Sequence, residues 1–292
     1  MGLYPKVIKS PPHNLAQGPN QKTFYVDYNH GSDDDIGDRR ERPFESIEKA
    51  LSLCTDATYD TIYVTSPVHV EGTQPIVVET QGVHICGLPD VPDGGQAHTW
   101  IFPSVAPAGG IFNIGAGDVR ISNFMIWGTA GQPCIDFSAE ATAVRIWIDH
   151  CAFSVGTYGV YAGPGVNSPS HYLTITNCFF DPTLTVGGIN ISSNGSWPLI
   201  ADNFFEMVPG PVIYIGGTIA GGRILRNHIM LPADDTVGDG IYLANAIRFI
   251  VDGNRCNDSA PGAITNNPYY DGPNRSMWTD NLISGGADTA PA

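Results

Sequence analysis

The stretches VRISNFMI (119–126), IWIDHCAF (146–153), LTITNCFF (173–180), LIADNFFE (199–206), ILRNHIML (224–231), IVDGNRCN (250–257) and MWTDNLIS (277–284) repeat one phrase. Each is a short apolar strand, a polar residue and a second apolar strand. The polar positions line up as Asn123, His150, Asn177, Asn203, Asn227, Asn254 and Asn281, 24 to 27 residues apart. A fixed period of this size marks a stacked architecture, in which each repeat buries its apolar face against the next. The strand-like phrases make the stack a solenoid of β-coils. An Asn at a turn of every coil can both donate and accept, so a column of them satisfies turn groups that stacking removes from water. His150 joins such a ladder through its two ring nitrogens.

Further columns support the stack. Two residues after the ladder position stand Met125, Ala152, Phe179, Phe205, Ile229, Cys256 and Ile283, all apolar. Four residues before it stand Val119, Ile146, Leu173, Leu199, Arg223, Ile250 and Met277, and the lone Arg223 implies one coil out of register. A second strand lies between ladder turns: Cys134-Ile135-Asp136-Phe137, Gly159-Val160-Tyr161, Ile189-Asn190-Ile191, Ile213-Tyr214-Ile215 and Ile241-Tyr242-Leu243. Period-two alternation sends one set of side chains in and the other out. The outward set is Asp136, Tyr161, Asn190, Tyr214 and Tyr242. Aromatic rings beside amides and a carboxylate suit a glycan, because sugar C–H faces stack on rings while hydroxyls bond polar groups. The same column could equally face another subunit or simply stabilise the sheet through neighbour pairs.

Over about residues 60 to 286 this pattern resembles the right-handed parallel β-helix superfamily of pectate lyases, polygalacturonases and phage tailspikes. The resemblance implies an all-β, right-handed parallel β-helix. The phrase YVDYNHGSDDDIG (25–37) followed by RPFESIEKAL (42–51) resembles the opening of many tailspike-like and pectate-lyase-fold proteins, where a similar acidic Gly loop precedes a capping helix. DTIYVTSPVHVEG (60–72) and VHICG (83–87) are similar to the first coils of the same proteins. Here a helix is expected from Pro43, with Phe44, Ile47, Leu51 and Cys54 on one side, plugging the open end of the solenoid. The chain then divides into an extended Pro-rich arm (1–21), an opening strand, acidic loop and capping helix (22–58), and the β-helix (59–292).

Composition agrees with one turn-rich β domain: 34 Gly, 23 Pro and 15% charged residues in 292. The net charge of −15 argues against nucleic acid and anionic membranes, which require basic surface. No stretch approaches the ~20 apolar residues of a membrane span, and the opening residues lack the apolar core of an export signal. A virion protein, made in a host cytoplasm, is the expectation. The arm, with four prolines and little apolar content, is expected to lie along a neighbouring protein. Cys151 and Cys178 share a coil position one turn apart, within reach of a disulfide but expected to remain thiols in a reducing compartment. Asp33, Asp34, Asp35 and Asp38 could collect Ca²⁺, or form a solvated turn beside Arg39, Arg40 and Arg42; the loop lacks EF-hand spacing.

Chemistry is harder to find. The Gly-His-Gly and Arg-x-Lys motifs of polygalacturonases are absent, as is the acid cluster with a Lys or Arg base that pectate lyases use. The best catalytic candidates are Asp234, Asp235 and Asp239, with Asp202, Glu206, Arg223, Arg226 and His228 from neighbouring coils; the alternative for that loop is an ordinary Asp-Gly turn. Trp127, Trp147 and Trp197 near coil edges could bind ligand or pack coil ends. The expected function is a tailspike-like or capsid-decorating virion protein, homotrimeric, without a cofactor unless Ca²⁺ binds, and able to hold host-surface polysaccharide. A polysaccharide lyase or hydrolase is the alternative, and a cellular adhesion protein a further one.

Overall fold

The computed structural model describes residues 20–71, 75–88, 99–103, 109–137, 143–164, 171–232, 240–258, 269–272 and 276–283. They form an all-β parallel solenoid with three walls. Wall A has ten strands, from Thr23–Val26 to Met277–Thr279; wall B has nine, from Val68–Glu71 to Leu282–Ile283; wall C has eight, from Ile76–Val78 to Tyr269–Asp271. A small fourth ladder joins Gly195–Ser196, Ile219–Ala220 and Ala246–Ile247. Every pairing is parallel and joins one coil to the next, so like positions stack directly. The opening strand Thr23–Val26 is itself the edge strand of wall A, paired with Thr61–Val64.

Stacking turns the alternation of each strand into columns of core residues. Wall A contributes Ile62, Ile85, Ile121, Ile148, Ile175, Ile200, Ile224 and Val251, all fully buried. From wall B come Ile101, Ile126, Phe153, Phe180, Phe205, Ile229 and Cys256. The rings of Phe153, Phe180 and Phe205 stack with centroids 4.8 and 4.4 Å apart. These rings leave no space opposite: a Cβ on Gly159 would sit 2.5 Å from Phe180, and one on Gly188 2.6 Å from Phe205.

Two left-handed corners bracket each of six successive wall A strands, from Arg120–Ser122 to Ile250–Asp252. Asp118, Arg145, Tyr172, Trp197, Gly221 and Arg248 precede the strands, and Asn123, His150, Asn177, Asp202, Arg226 and Gly253 follow five residues later, all with φ between 52° and 75°. Side chains other than Gly cost roughly 1–2 kcal/mol in this conformation. The corner amides offset that cost by donating to the next coil, as Asn123 N–H does to Asp149 O and Arg226 N–H to Asp252 O.

These corners correct the expected ladder. Asn123, His150 and Asn177 are corner residues, and the residues that turn inward after them are Phe124, Cys151 and Cys178. From Asp202 onward the corner falls one letter before the Asn, so Asn203, Asn227, Asn254 and Asn281 point inward and are buried. The break lies between 177 and 202, and Leu199, Arg223, Ile250 and Met277 stand together in one outward wall A column. Arg223 therefore belongs to no displaced coil. Phe205, Ile229 and Cys256 are core residues, whereas the wall B neighbours in line with Met125, Ala152 and Phe179 are Phe204, His228 and Arg255.

In the ladder of four, each Nδ2 donates to a wall A carbonyl, Asn227 to Ile200 O at 3.0 Å for example, and those of Asn203, Asn227 and Asn254 also donate to the next Oδ1 at 2.9 Å. Each Oδ1 also accepts the preceding Asn backbone N–H, and Cys178 N–H closes the column on Asn203 Oδ1 at 2.9 Å. Cys151 and Cys178 are free thiols that donate to Ile121 O and Ile148 O; burial and the neighbouring Cys178 raise the Cys151 pKa.

At the cap the helix is Ile47–Leu51, shorter than the sequence suggests. Phe44 bridges Val26 in extended conformation instead of opening the helix. Ser46 is the N-cap, and Asp33 accepts from Glu45 N–H, Ser46 N–H and Ser46 Oγ at 2.8–3.0 Å. Phe44, Ile47 and Ala50 are fully buried over the first coils.

Removing the Asn227 side chain takes the acceptor from Asn203 N–H and a donor from Ile200 O, and one of the partners each of Asn203 Nδ2 and Asn254 Oδ1, inside the stack. At ~1–3 kcal/mol per buried unpaired group, Asn227→Ala is expected to cost about 2–4 kcal/mol. Asn177→Gly relieves a left-handed corner and is expected to change stability by less than ~1 kcal/mol. Equilibrium denaturation of both variants checks the frame; equal losses would contradict it.

Candidate functional site

Wall C carries the outward column in continuous register: Asn113, Asp136, Tyr161, Asn190, Tyr214, Tyr242 and Tyr270. The rings of Tyr214 and Tyr242 stack with centroids 5.5 Å apart, and those of Tyr242 and Tyr270 at 4.3 Å. Tyr158 stacks on Tyr161 at 5.3 Å, where a bulge admits it to the same face. The tyrosine rings therefore cover one another, and the column presents their edges and hydroxyls rather than open faces. Room for this comes from small residues two positions on. A Cβ on Gly216 would collide with the Tyr214 ring, and one on Gly272 would crowd Tyr270 at 3.2 Å. The sequence repeats the device as Tyr161-x-Gly163, Tyr214-x-Gly216, Tyr242-x-Ala244 and Tyr270-x-Gly272. Ser192, at the same offset, donates to Asn190 Oδ1 at 2.6 Å. Asn113 Oδ1 is buried without a hydrogen-bond partner among the described residues.

The catalytic candidates do not converge. Asp234, Asp235 and Asp239 lie outside the described residues. Asp202 and Arg226 are corner residues of adjacent coils, joined by two bonds of 2.8 and 2.7 Å. Arg223 faces out from wall A, while Glu206 and His228 belong to wall B. His228 contacts Asn257 at 2.8 Å and the Phe204 ring edge-on at 4.9 Å. Burial, then the Arg255 cation, lowers its pKa.

Wall A holds a polar group that the sequence reading missed. Arg120 binds Asp149 through two bonds of 2.7 Å, Asp149 contacts His150 Nδ1 at 3.0 Å, and His84 Nε2 meets Ser122 Oγ at 2.8 Å. Burial would raise the Asp149 pKa, but the Arg120 and His150 contacts outweigh it and leave the value at about 2. His84 falls to about 4 through burial and the nearby Arg120. Ser122 is only 2% exposed, which closes it to a substrate as a nucleophile. A sequence signal existed, since Arg120 and Asp149 stand two columns apart on neighbouring outward strands, but their pairing needed the register.

The tryptophans occupy three different surfaces. Trp127 stacks on Trp100 at 6.2 Å on wall B, Trp147 faces out from wall A, and Trp197 sits at a left-handed corner over Gly221. In the acidic loop, Asp33 caps the helix and Asp38 pairs with Arg39 and Arg42, both at 3.2 Å. Among the described residues no group of three His, Cys, Asp or Glu is placed to hold a metal, and no helix is long and apolar enough to cross a membrane.

The strand topology thus defines the class of protein, an all-β parallel solenoid. No family model and no curated protein matches the chain. Among solved structures, the pectin methyl esterase of the rice weevil aligns over 84% of this chain and 87% of its own, at 11% identity and a TM-score of 0.41.

His69 and His84 tie stability to pH. Burial brings each from 6.5 down to about 4, with Glu48, Asp27 and Asp33 partly opposing the shift at His69. A folded-state pKa below the unfolded one means the stabilisation is complete above pH 6.5 and is lost as pH falls towards 4. At ~1.4 kcal/mol per pH unit, each contributes up to about 3 kcal/mol. Denaturant titration is expected to show stability falling by several kcal/mol from about pH 7 to pH 4.5, and less steeply in His84→Gln. A flat profile would contradict the buried neutral imidazoles.

Proposed function

We propose that the chain is a structural, polysaccharide-recognising β-solenoid of a viral particle, with wall C as its glycan-facing surface. The observation that carries the glycan reading is the unbroken column from Asn113 to Tyr270, in which amides, a carboxylate and phenols recur once per coil. Neighbouring strands lie ~4.8 Å apart, close to the length of one sugar unit, so a chain laid along the axis meets a polar group at each step. Phenol edges and amides bond hydroxyls.

The mechanism is physical. A rigid wall presents many weak contacts at fixed spacing, and a homotrimer would multiply them into avidity. The virion setting is supported by the sequence alone, through the tailspike-like opening at 25–51 and the Pro-rich arm expected to contact other virion proteins. Cleavage of a glycoside needs two carboxylates facing one bond, about 5–10 Å apart. Here Asp118, Asp149 and Asp202 are each taken by an arginine.

Affinity electrophoresis in polysaccharide gels tests the surface. Tyr242→Phe keeps the ring stack and removes one hydroxyl, so retention is expected to weaken a few-fold. Tyr242→Ala also opens the stack, and about tenfold weaker retention is expected, equivalent to ~1.4 kcal/mol. Circular dichroism checks that both variants remain folded. Retention unchanged in both would overturn the placement on wall C.

A further inference from the structure

We infer that the polymer recognised by wall C is a neutral polysaccharide and not a uronate or otherwise anionic one; this rests on the reading of wall C as glycan-facing. The described cations of the solenoid lie away from wall C. Lysine does not occur after Lys49. Among the described residues of the solenoid, Arg120 and Arg223 stand on wall A, Arg145, Arg226 and Arg248 at the corners flanking wall A, and Arg255 on wall B. None stands on wall C. Arg120, Arg145 and Arg226 are further committed to Asp149, Asp118 and Asp202.

What wall C does present is hydroxyl, amide and one outward carboxylate, Asp136, in the middle of the column. A polyanion along this face would bring a carboxylate past Asp136 with no guanidinium or ammonium among the described residues of the wall to replace lost hydration; Arg275 lies outside the described residues. Binding anionic sugars ordinarily needs charge-assisted bonds, often bidentate from Arg. The net charge of −15 adds repulsion at longer range, screened over ~8 Å at physiological salt. Neutral hydroxyls meet no such cost and find donors and acceptors at each coil.

The experiment is affinity electrophoresis of the full chain in gels containing dextran, galactomannan, polygalacturonate, alginate or chitosan. Each gel is run at roughly 0.05 and 0.5 M salt, which changes the screening length about threefold, and the uronate gels are run with and without added calcium. The expected result is retention by a neutral polymer that changes less than about twofold with salt and weakens in Tyr242→Ala, with no retention by the uronates. Retention by polygalacturonate or alginate, with or without calcium, would overturn the neutral specificity while leaving wall C as a glycan surface. Salt-sensitive retention by chitosan alone would do the same, assigning the wall to cationic polymers. No retention in any gel would overturn the glycan reading itself.

Discussion

The pair of left-handed corners around each of six successive wall A strands governs the rest of the solenoid. Between Asp118 and Asn123, Arg145 and His150, or Gly221 and Arg226, the chain has four residues in which to cross one wall and turn twice. Their backbone cost is met by hydrogen bonds to the next coil, so a corner is stable only when coils are in register. That dependence fixes which residue turns inward after the second corner. It sets Phe124, Cys151, Cys178 and then the four asparagines in one column, and it propagates the same register into walls B and C.

Most of the fold was legible because parallel stacking repeats its requirements. The isoleucines of wall A and the alternating strands of wall C announce themselves as columns. The ladder was half misread for a physical reason. Both the corner and the inward position favour Asn: one because Asn tolerates positive φ, the other because a buried amide can donate and accept. Asn123 and Asn177 answer the first requirement, and Asn203 and Asn227 the second. Matching letters therefore joined two different positions, and the 25-residue step from 177 to 202 went unseen.

The surface proposed to face a glycan was legible in part. Its outward identity followed from alternation, but the way its tyrosines lie did not. Tyr214 and Tyr270 lean over Gly216 and Gly272, which turns an expected set of open ring faces into a row of edges and hydroxyls. The acid candidates illustrate the opposite limit. Nearness in sequence placed Asp202, Arg223, Glu206, Arg226 and His228 together, whereas the corners distribute them over two walls and an edge. The Arg120–Asp149 pair, 29 residues apart in sequence, is brought together by the same geometry.

The three walls thus differ in chemistry: paired charges on A, indole and phenyl rings on B, phenols and amides on C. The central claim is that wall C recognises a polysaccharide and does not cut it. The direct measurement is prolonged incubation of the chain with a panel of polysaccharides, following reducing ends and the ultraviolet absorbance of unsaturated products together. The account expects polymer retention with neither signal rising above the protein-free control. New reducing ends in step with protein concentration would contradict it, with rising absorbance marking a lyase and its absence a hydrolase.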